Sequence, residues 1–382
     1  MRKDYLNFAV LFTGSLLFQI IQIGSFPILI VQLLEGGAYE HFVIGLFAAI
    51  SWISVIVLSP FVPGLIARFG ERATLHAAFI TSLAGLALLL APVGLACLAA
   101  ASILLGVGLI LRWIACDTLV ANLSPRATRG RLIGLHEALM GFGIALGPIL
   151  FTLGDLRAVT WLSIAAIVVG QACLMLTDMR FAHQDAEEET ATAGTSVYRL
   201  IVVALAAALV AGFIESASIA LFPVHFGHFG FPLAEAAILV SAFGFGGTLL
   251  QPPLGYIADR RGYAFAQILC GVAIACACAA LIAFAANYMV LLAAMFLLGG
   301  AGGGLNTLAV IEAGNELNGA RMPAAMTAIA VLYTVGGVAG PILSASLLSA
   351  AGNFGMVLLF GTISLMLVMT VALHAARRMR PS

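Results

Sequence analysis

Gly143-Ile144-Ala145-Leu146-Gly147-Pro148-Ile149-Leu150 is answered by Gly336-Gly337-Val338-Ala339-Gly340-Pro341-Ile342-Leu343, 193 residues on in a chain of 382. Gly143, Gly147 and Pro148 therefore recur as Gly336, Gly340 and Pro341. Outward from this pair, a second echo has an offset of 192: Pro60 and Ala67-Arg68-Phe69-Gly70 match Pro252 and Asp259-Arg260-Arg261-Gly262. A third, at 196, pairs Phe26-Pro27 with Phe222-Pro223. Three echoes, each at about half the chain length, imply a duplicated unit. In an apolar chain, parallel repeats of this size mark a transporter built of two halves.

Composition identifies the solvent. The chain is 62% hydrophobic and 9% charged, whereas about a quarter of a soluble domain is charged. A hydrocarbon core of about 30 Å takes roughly 20 apolar residues per helical crossing. Twelve such stretches are predicted, near 6–34, 42–67, 74–91, 95–119, 132–153, 159–177, 200–224, 234–258, 264–285, 288–313, 324–348 and 354–373. The expected organisation is an N-terminal six-helix bundle over residues 1–178, a cytoplasmic linker over 179–198 and a C-terminal six-helix bundle over 199–382. Asp185, Glu187, Glu188 and Glu189 make the linker a solvated segment.

With both termini in the cytoplasm, all of the seventeen Lys and Arg residues except Arg112 and Arg157 fall in cytoplasmic segments, a positive-inside asymmetry that sets the orientation. The first span is too long for a signal-peptide core and no small-residue cleavage site follows it, so it reads as retained. The zero net charge points to no nucleic-acid partner. All six cysteines (Cys97, Cys116, Cys173, Cys270, Cys276, Cys278) lie in predicted spans without zinc-site spacing, and read as packing residues. One lysine stands against sixteen arginines. With the Ala and Gly richness, this points to a GC-rich bacterium and hence to its inner membrane. No metal, cofactor or catalytic nucleophile is expected, and the chain is read as a monomeric transporter rather than an enzyme.

Pro253-Leu254-Gly255-Tyr256-Ile257-Ala258-Asp259-Arg260-Arg261-Gly262 resembles the signature loop of the major facilitator superfamily in its span 8–9 copy. In that pattern a glycine permits close helix packing and an Asp-Arg pair caps a helix end at the cytoplasmic gate. The span 2–3 copy is degraded: Ala67 replaces the usual Asp, while Arg68, Gly70 and Arg72 remain. The resemblance covers all twelve spans and implies an all-α membrane protein of two pseudo-symmetric six-helix bundles, working by alternating access. Trp113, Asp117, Ser124-Pro125, Arg129-Gly130-Arg131 and Gly134 through Glu137 to Pro148 resemble a small bacterial branch of that superfamily. Gly134, Gly143, Gly147 and Pro148 also match part of its antiporter motif. Phe151 and Thr152 replace that motif's last two glycines, and Ser102 stands where exporters of the family carry an arginine.

An intramembrane charge costs several kcal/mol and needs a partner or a wet cavity. Arg112 falls about 8 Å to the cytoplasmic side of its span's midpoint, and Glu137 falls at similar depth. They form either a structural ion pair or a proton and substrate site in which protonating Glu137 frees Arg112 to meet an anion. Their repeat partners are Asn306 and Ala330, so architecture common to both halves does not require the charges. His136, about 100° around the helix from Glu137, need not share that cavity. On span 1, Ser15, Gln19, Gln22 and Phe26 recur at i, i+4, i+7 and i+11, one polar stripe. At the offset of 196 they face Ala211, Glu215, Ser218 and Phe222. In the superfamily spans 1, 4, 7 and 10 line the cavity, so the resemblance gathers Gln19, Gln22, Arg112, Glu215 and Asn306 around one site.

Asp117 and Glu312 lie at cytoplasmic span ends. Arg68, Arg72 or Arg129 are the expected partners of the first, and Arg260 or Arg261 of the second, as ion pairs that close the cytoplasmic gate. The run Gly299 to Gly304 lacks the Lys-Ser or Lys-Thr of a phosphate loop and reads as close helix packing. Pro27, Pro148, Pro223 and Pro341 are expected to bend their spans. His225 and His228 lack a clear third metal ligand. The activity expected is proton-coupled efflux of a small organic solute. The alternatives are uptake of an organic anion and a non-transporting sensor on the same fold.

Overall fold

A computed structural model describes residues 2–90, 94–123, 129–177, 201–316 and 322–378. The linker expected at 179–198 lies outside them. Every regular element is helical. The first segment comprises α1 (Arg2–Gln19), a π-helical turn (Ile20–Ser25), α2 (Phe26–Gly36), α3 (His41–Leu58), α4 (Val62–Leu88), α5 (Leu95–Leu123), α6 (Arg129–Leu146) and α7 (Leu156–Leu176). Beyond it run α8 (Val202–Gly227), α9 (Leu233–Leu249), α10 (Gln251–Arg261), α11 (Tyr263–Ala283), α12 (Tyr288–Glu316), α13 (Met322–Ala351) and α14 (Gly355–Arg378).

Among the described residues, ten helical stretches are long and apolar enough to cross a membrane. The expected spans 2 and 3 fall within one of them, His41–Leu88, whose 48 residues would reach about 70 Å as straight helix, twice a bilayer core. That stretch is broken at Gly70. The expected span 5 appears as the shorter apolar run Ala138–Thr152.

The chain forms two compact units. One comprises Met1–Tyr39, Leu46–Asp185 and Pro232–Ser241; the other comprises Glu40–Gly45, Ala186–Phe231 and Ala242–Ser382. In the first, α1 and its π-turn pack against α6 and α7, and α4 packs against α5. In the second, α8 packs against α12 and α13, and α11 against α12 and α14.

The echoed words do matching work in each unit. A Cβ built on Gly24 in the π-turn would lie 2.7 Å from Gly143 O and 2.8 Å from Gly147 Cα. One on Gly143 would lie 2.6 Å from Gln19 Cγ. Backbones approach this closely only where small residues face each other. In the second unit Gly336 and Gly340 lie against the backbone of Leu209 and Phe213 on α8. The recurring glycines thus clamp span 5 to span 1, and span 11 to span 7.

The signature-loop echo is equally literal. Gly70 has φ 82° and ψ 164°, and Gly262 has φ 85° and ψ 152°, a region open essentially to glycine alone. Each glycine stops one helix and starts the next. Open space surrounds both positions and also Gly64, whose backbone is helical. Gly262→Ala is therefore expected to destabilise through the backbone alone, by about 1–3 kcal/mol. Gly64→Ala should instead stabilise by about 0.5–1 kcal/mol. Thermal unfolding of the purified variants checks this, and shifts of the same sign in both would contradict it.

The helix widens by one residue, from Ile20 to Ser25, just before Pro27, which has no N–H to give to the preceding turn. The matching Pro223 sits inside a continuous α-helix. The two first spans of the units thus meet the same proline differently.

Candidate functional site

Arg112 is 2% exposed, and its guanidinium is gripped by the polar stripe of span 1. Nε donates to Gln22 Oε1 at 2.8 Å, Nη2 to Gln19 Oε1 at 2.6 Å and Nη1 to Ser15 Oγ at 3.0 Å. Met140 Sδ lies 3.7 Å from Nη1. The planar fork of arginine suits this: donors on three nitrogens meet acceptors spread along one helix. Ser15 and Gln19 are one α-turn apart on α1, while Gln22 lies in the π-turn. Gln22 Nε2 donates onward to Ser82 Oγ at 2.9 Å on α4, which fixes the amide. Gln19, Gln22 and Arg112 are thus in contact, three of the five residues that the family resemblance gathers around one site.

A second chain of contacts leaves the clamp through Ser15. Its Oγ lies 3.0 Å from His136 Nε2, and His136 Nδ1 lies 3.6 Å from Asp117 Oδ1. Its angular position relative to Glu137 leaves open whether His136 shares the cavity. The structure places it against Ser15, because α6 presses its glycines onto span 1. His136 is 3% exposed and Asp117 is 43% exposed, so the chain runs from a buried guanidinium to a solvent-reaching carboxylate. Glu137 lies on α6, but its side chain is outside the described residues, as is that of Arg129.

In the second unit Glu215 Oε1 accepts from Tyr333 OH at 2.6 Å, a contact from α13 that sequence reasoning missed. Asn306 Oδ1 and Ser218 Oγ are buried without a described hydrogen-bond partner. Glu312 is 1% exposed and accepts from Gln267 Nε2 at 2.8 Å. Close by, Tyr263 OH donates to Glu316 Oε1 at 2.5 Å.

Arg68 and Arg72 flank the break at Gly70, and Arg260 lies in the last turn of α10. Arg72 Nη2 donates to Met175 O at 3.3 Å, and Arg68 lies 5.2 Å from the Phe69 ring centroid. Arg260 stacks 4.5 Å over Tyr256, and Asp259 is exposed. His136 is a described partner of Asp117. Gly255, expected to permit close packing, faces open space. His225 is buried in a nest of phenylalanines, Phe222, Phe226, Phe229 and Phe354.

Comparison with known proteins gives this architecture its family. A profile of the Major Facilitator Superfamily matches residues 11–207 and again 203–382. The chain is 26% identical over 288 residues to the "Uncharacterized MFS-type transporter YcaD" of Escherichia coli O7:K1 (strain IAI39 / ExPEC), covering 72% of each. It is 25% identical over 288 residues to the protein of that name in Escherichia coli (strain K12 / DH10B), again covering 72% of each. Its fold is similar to the crystal structure of a D-xylose-proton symporter, with a TM-score of 0.72 and 15% identity over 96% of this chain and 97% of that one. The profile matches twice, once for each copy of the echoed words, and so the chain belongs to the major facilitator superfamily of multi-pass membrane transporters.

Proposed function

We propose that the chain is a proton-coupled secondary transporter that moves a small organic solute by alternating access, with the Arg112 clamp as its binding centre. The observation that carries this reading is a buried guanidinium held by the side chains of Ser15, Gln19 and Gln22. A charge at such depth is costly to insert and marks a solute or ion pathway. Twelve crossings with both termini in the cytoplasm, a monomer and a bacterial inner membrane complete the proposal. Glu137, Glu215 and Asn306 are its further polar contributors. Arg68, Arg72, Asp117, Arg129, Asp259, Arg260 and Glu312 form its cytoplasmic gate.

Efflux by proton exchange is the direction favoured by the partial antiporter motif, although its glycines already have a packing role here. The clamp favours a second reading, uptake of an organic anion. The acceptors on Arg112 include neutral amides and a hydroxyl, which a solute carboxylate can outcompete with a bidentate bond.

Everted membrane vesicles holding a respiration-driven proton gradient test both readings. A pH-sensitive dye would follow addition of antibiotics, organic acids, amino acids and sugars. Wild type is expected to move protons with one class of compound, and Glu137→Gln to lose that response while remaining folded. Coupled proton movement at the wild-type rate in Glu137→Gln would remove Glu137 from the mechanism.

A further inference from the structure

We propose that His136 carries the coupled proton, and that Ser15 and Asp117 tie its charge to the seating of Arg112. This rests on the second reading above, uptake of an organic anion together with a proton, and assigns that proton a second site, besides Glu137. The observation is a directed chain: Arg112 Nη1 to Ser15 Oγ at 3.0 Å, Ser15 Oγ to His136 Nε2 at 3.0 Å, and His136 Nδ1 to Asp117 Oδ1 at 3.6 Å. Its two ends have fixed roles, because a guanidinium only donates and an ionised carboxylate only accepts. In the proposed arrangement the hydrogens between them all run one way, with Met140 Sδ, 3.5 Å from Ser15 Oγ, left as the hydroxyl's alternative acceptor. Ser15 accepts from Arg112 and donates to Nε2, so the neutral ring carries its hydrogen on Nδ1, facing Asp117.

The ring is the member of this chain that can gain a charge without breaking it. A proton arriving from water at the exposed Asp117 end is taken up by the ring, which then bears N–H on both nitrogens. No other covalent bond changes. The Ser15 hydroxyl loses Nε2 as acceptor and turns to Met140 Sδ, 3.5 Å from its oxygen. That oxygen then accepts from two cations at once, His136 and Arg112. Their repulsion in a poorly solvated site loosens Arg112 from Gln19 and Gln22.

The linkage is reciprocal. An anion that draws Arg112 away, or neutralises it, makes the second charge on His136 easier to accept. Proton and anionic solute therefore bind cooperatively, which is the requirement for carrying them together. Among the described residues, the groups around His136 are Arg112 and Asp117 on α5, with Cys116 against both Ser15 and Arg112. From α1 come Ser15 and the ring of Phe12, its centroid 5.5 Å from that of His136. The π-turn contributes only the neutral Gln22. On α6 itself, Met140 is close, and the side chains of Arg129, Arg131 and Glu137 are outside the described residues.

The test needs no solute. The full chain, labelled with ¹⁵N-histidine in lipid nanodiscs, is followed by NMR across pH, and the His136 signals are identified by their loss in His136→Gln. The expected neutral form has its hydrogen on Nδ1, the reverse of free histidine, and it becomes imidazolium on acidification. At the pH where wild type is one-fifth protonated, Arg112→Gln is expected to raise the protonated fraction at least threefold. Asp117→Asn is expected to lower it at least threefold. A shift of about one pH unit, the smaller end of the effect of a charge about 4–6 Å away, would raise the fraction about 3.6-fold or lower it about eightfold, so both thresholds lie within it.

Asp117 lies at the exposed end, so its variant keeps the test alive if Arg112→Gln does not fold. A neutral ring with its hydrogen on Nε2, or a protonated fraction unmoved by both substitutions, overturns the proposal. If the ring responds as expected while no compound moves protons in vesicles, the linkage stands and the transport reading is what fails.

Discussion

Arg112→Leu is expected to reduce solute-driven proton movement at least about a hundredfold, equivalent to about 3 kcal/mol. Two losses combine in this variant. The cation that would receive the solute is gone, and Gln19, Gln22 and Ser15 lose the donors that hold them in place. Each buried acceptor left unpaired costs about 1–3 kcal/mol, so the variant should also melt earlier than wild type. Arg112→Lys separates the two contributions. It keeps the charge but presents a single ammonium where the acceptors are set for a fork, and about tenfold loss is expected. Initial dye-recovery rates, normalised to the amount of transporter in the vesicles, provide the measurement. Arg112→Leu transporting as wild type does would remove the clamp from the mechanism.

The largest stability effect is expected at the echoed glycines. At Gly147 a Cβ would fall within contact of the Gly24 backbone and at Gly340 within contact of Phe213 O. No side-chain rotation relieves a clash with backbone. Overpacking a filled core costs about 1–3 kcal/mol per site and occasionally more. Gly147→Leu and Gly340→Leu should each exceed that range, because two whole helices must separate. Fluorescence-detected size-exclusion chromatography after heating would show melting points lowered by about 5 °C or more, or no monodisperse protein at all. Gly64→Leu, in open space, is the control. Unchanged melting in both clamp variants would mean the helix contacts are looser than described.

Much of this architecture was legible in the sequence, because its signals are local. Apolar length gives the crossings, and repeated glycines give the positions where helices touch. The spacing of Ser15, Gln19 and Gln22 gives span 1 a polar face, and it was the family resemblance that set Gln19 and Gln22 near Arg112. What stayed hidden depended on partners distant in the chain or on a departure from the regular helix. His136 reaches the site through Ser15, 121 residues away, and no spacing along α6 can reveal that. Tyr333 bonds Glu215 across 118 residues. Asp117 and Glu312, for which charge suggests arginine partners, also meet a histidine and a glutamine, which charge alone does not point to.

The widened turn at Ile20–Ser25 bears on how the two halves correspond. It holds one residue more than a plain helix needs, and α8 has no such insertion ahead of Pro223. Phe26 and Phe222 remain counterparts beyond the turn, but before it the correspondence slips by one. Gln19 then matches Ser216, whose hydroxyl donates to Gly337 O on the clamping helix, much as Gln19 lies against Gly143. Glu215 becomes the counterpart of Phe18. In this register Glu215 stands level with an aromatic ring of the first half, and the glutamine that holds Arg112 stands level with a serine.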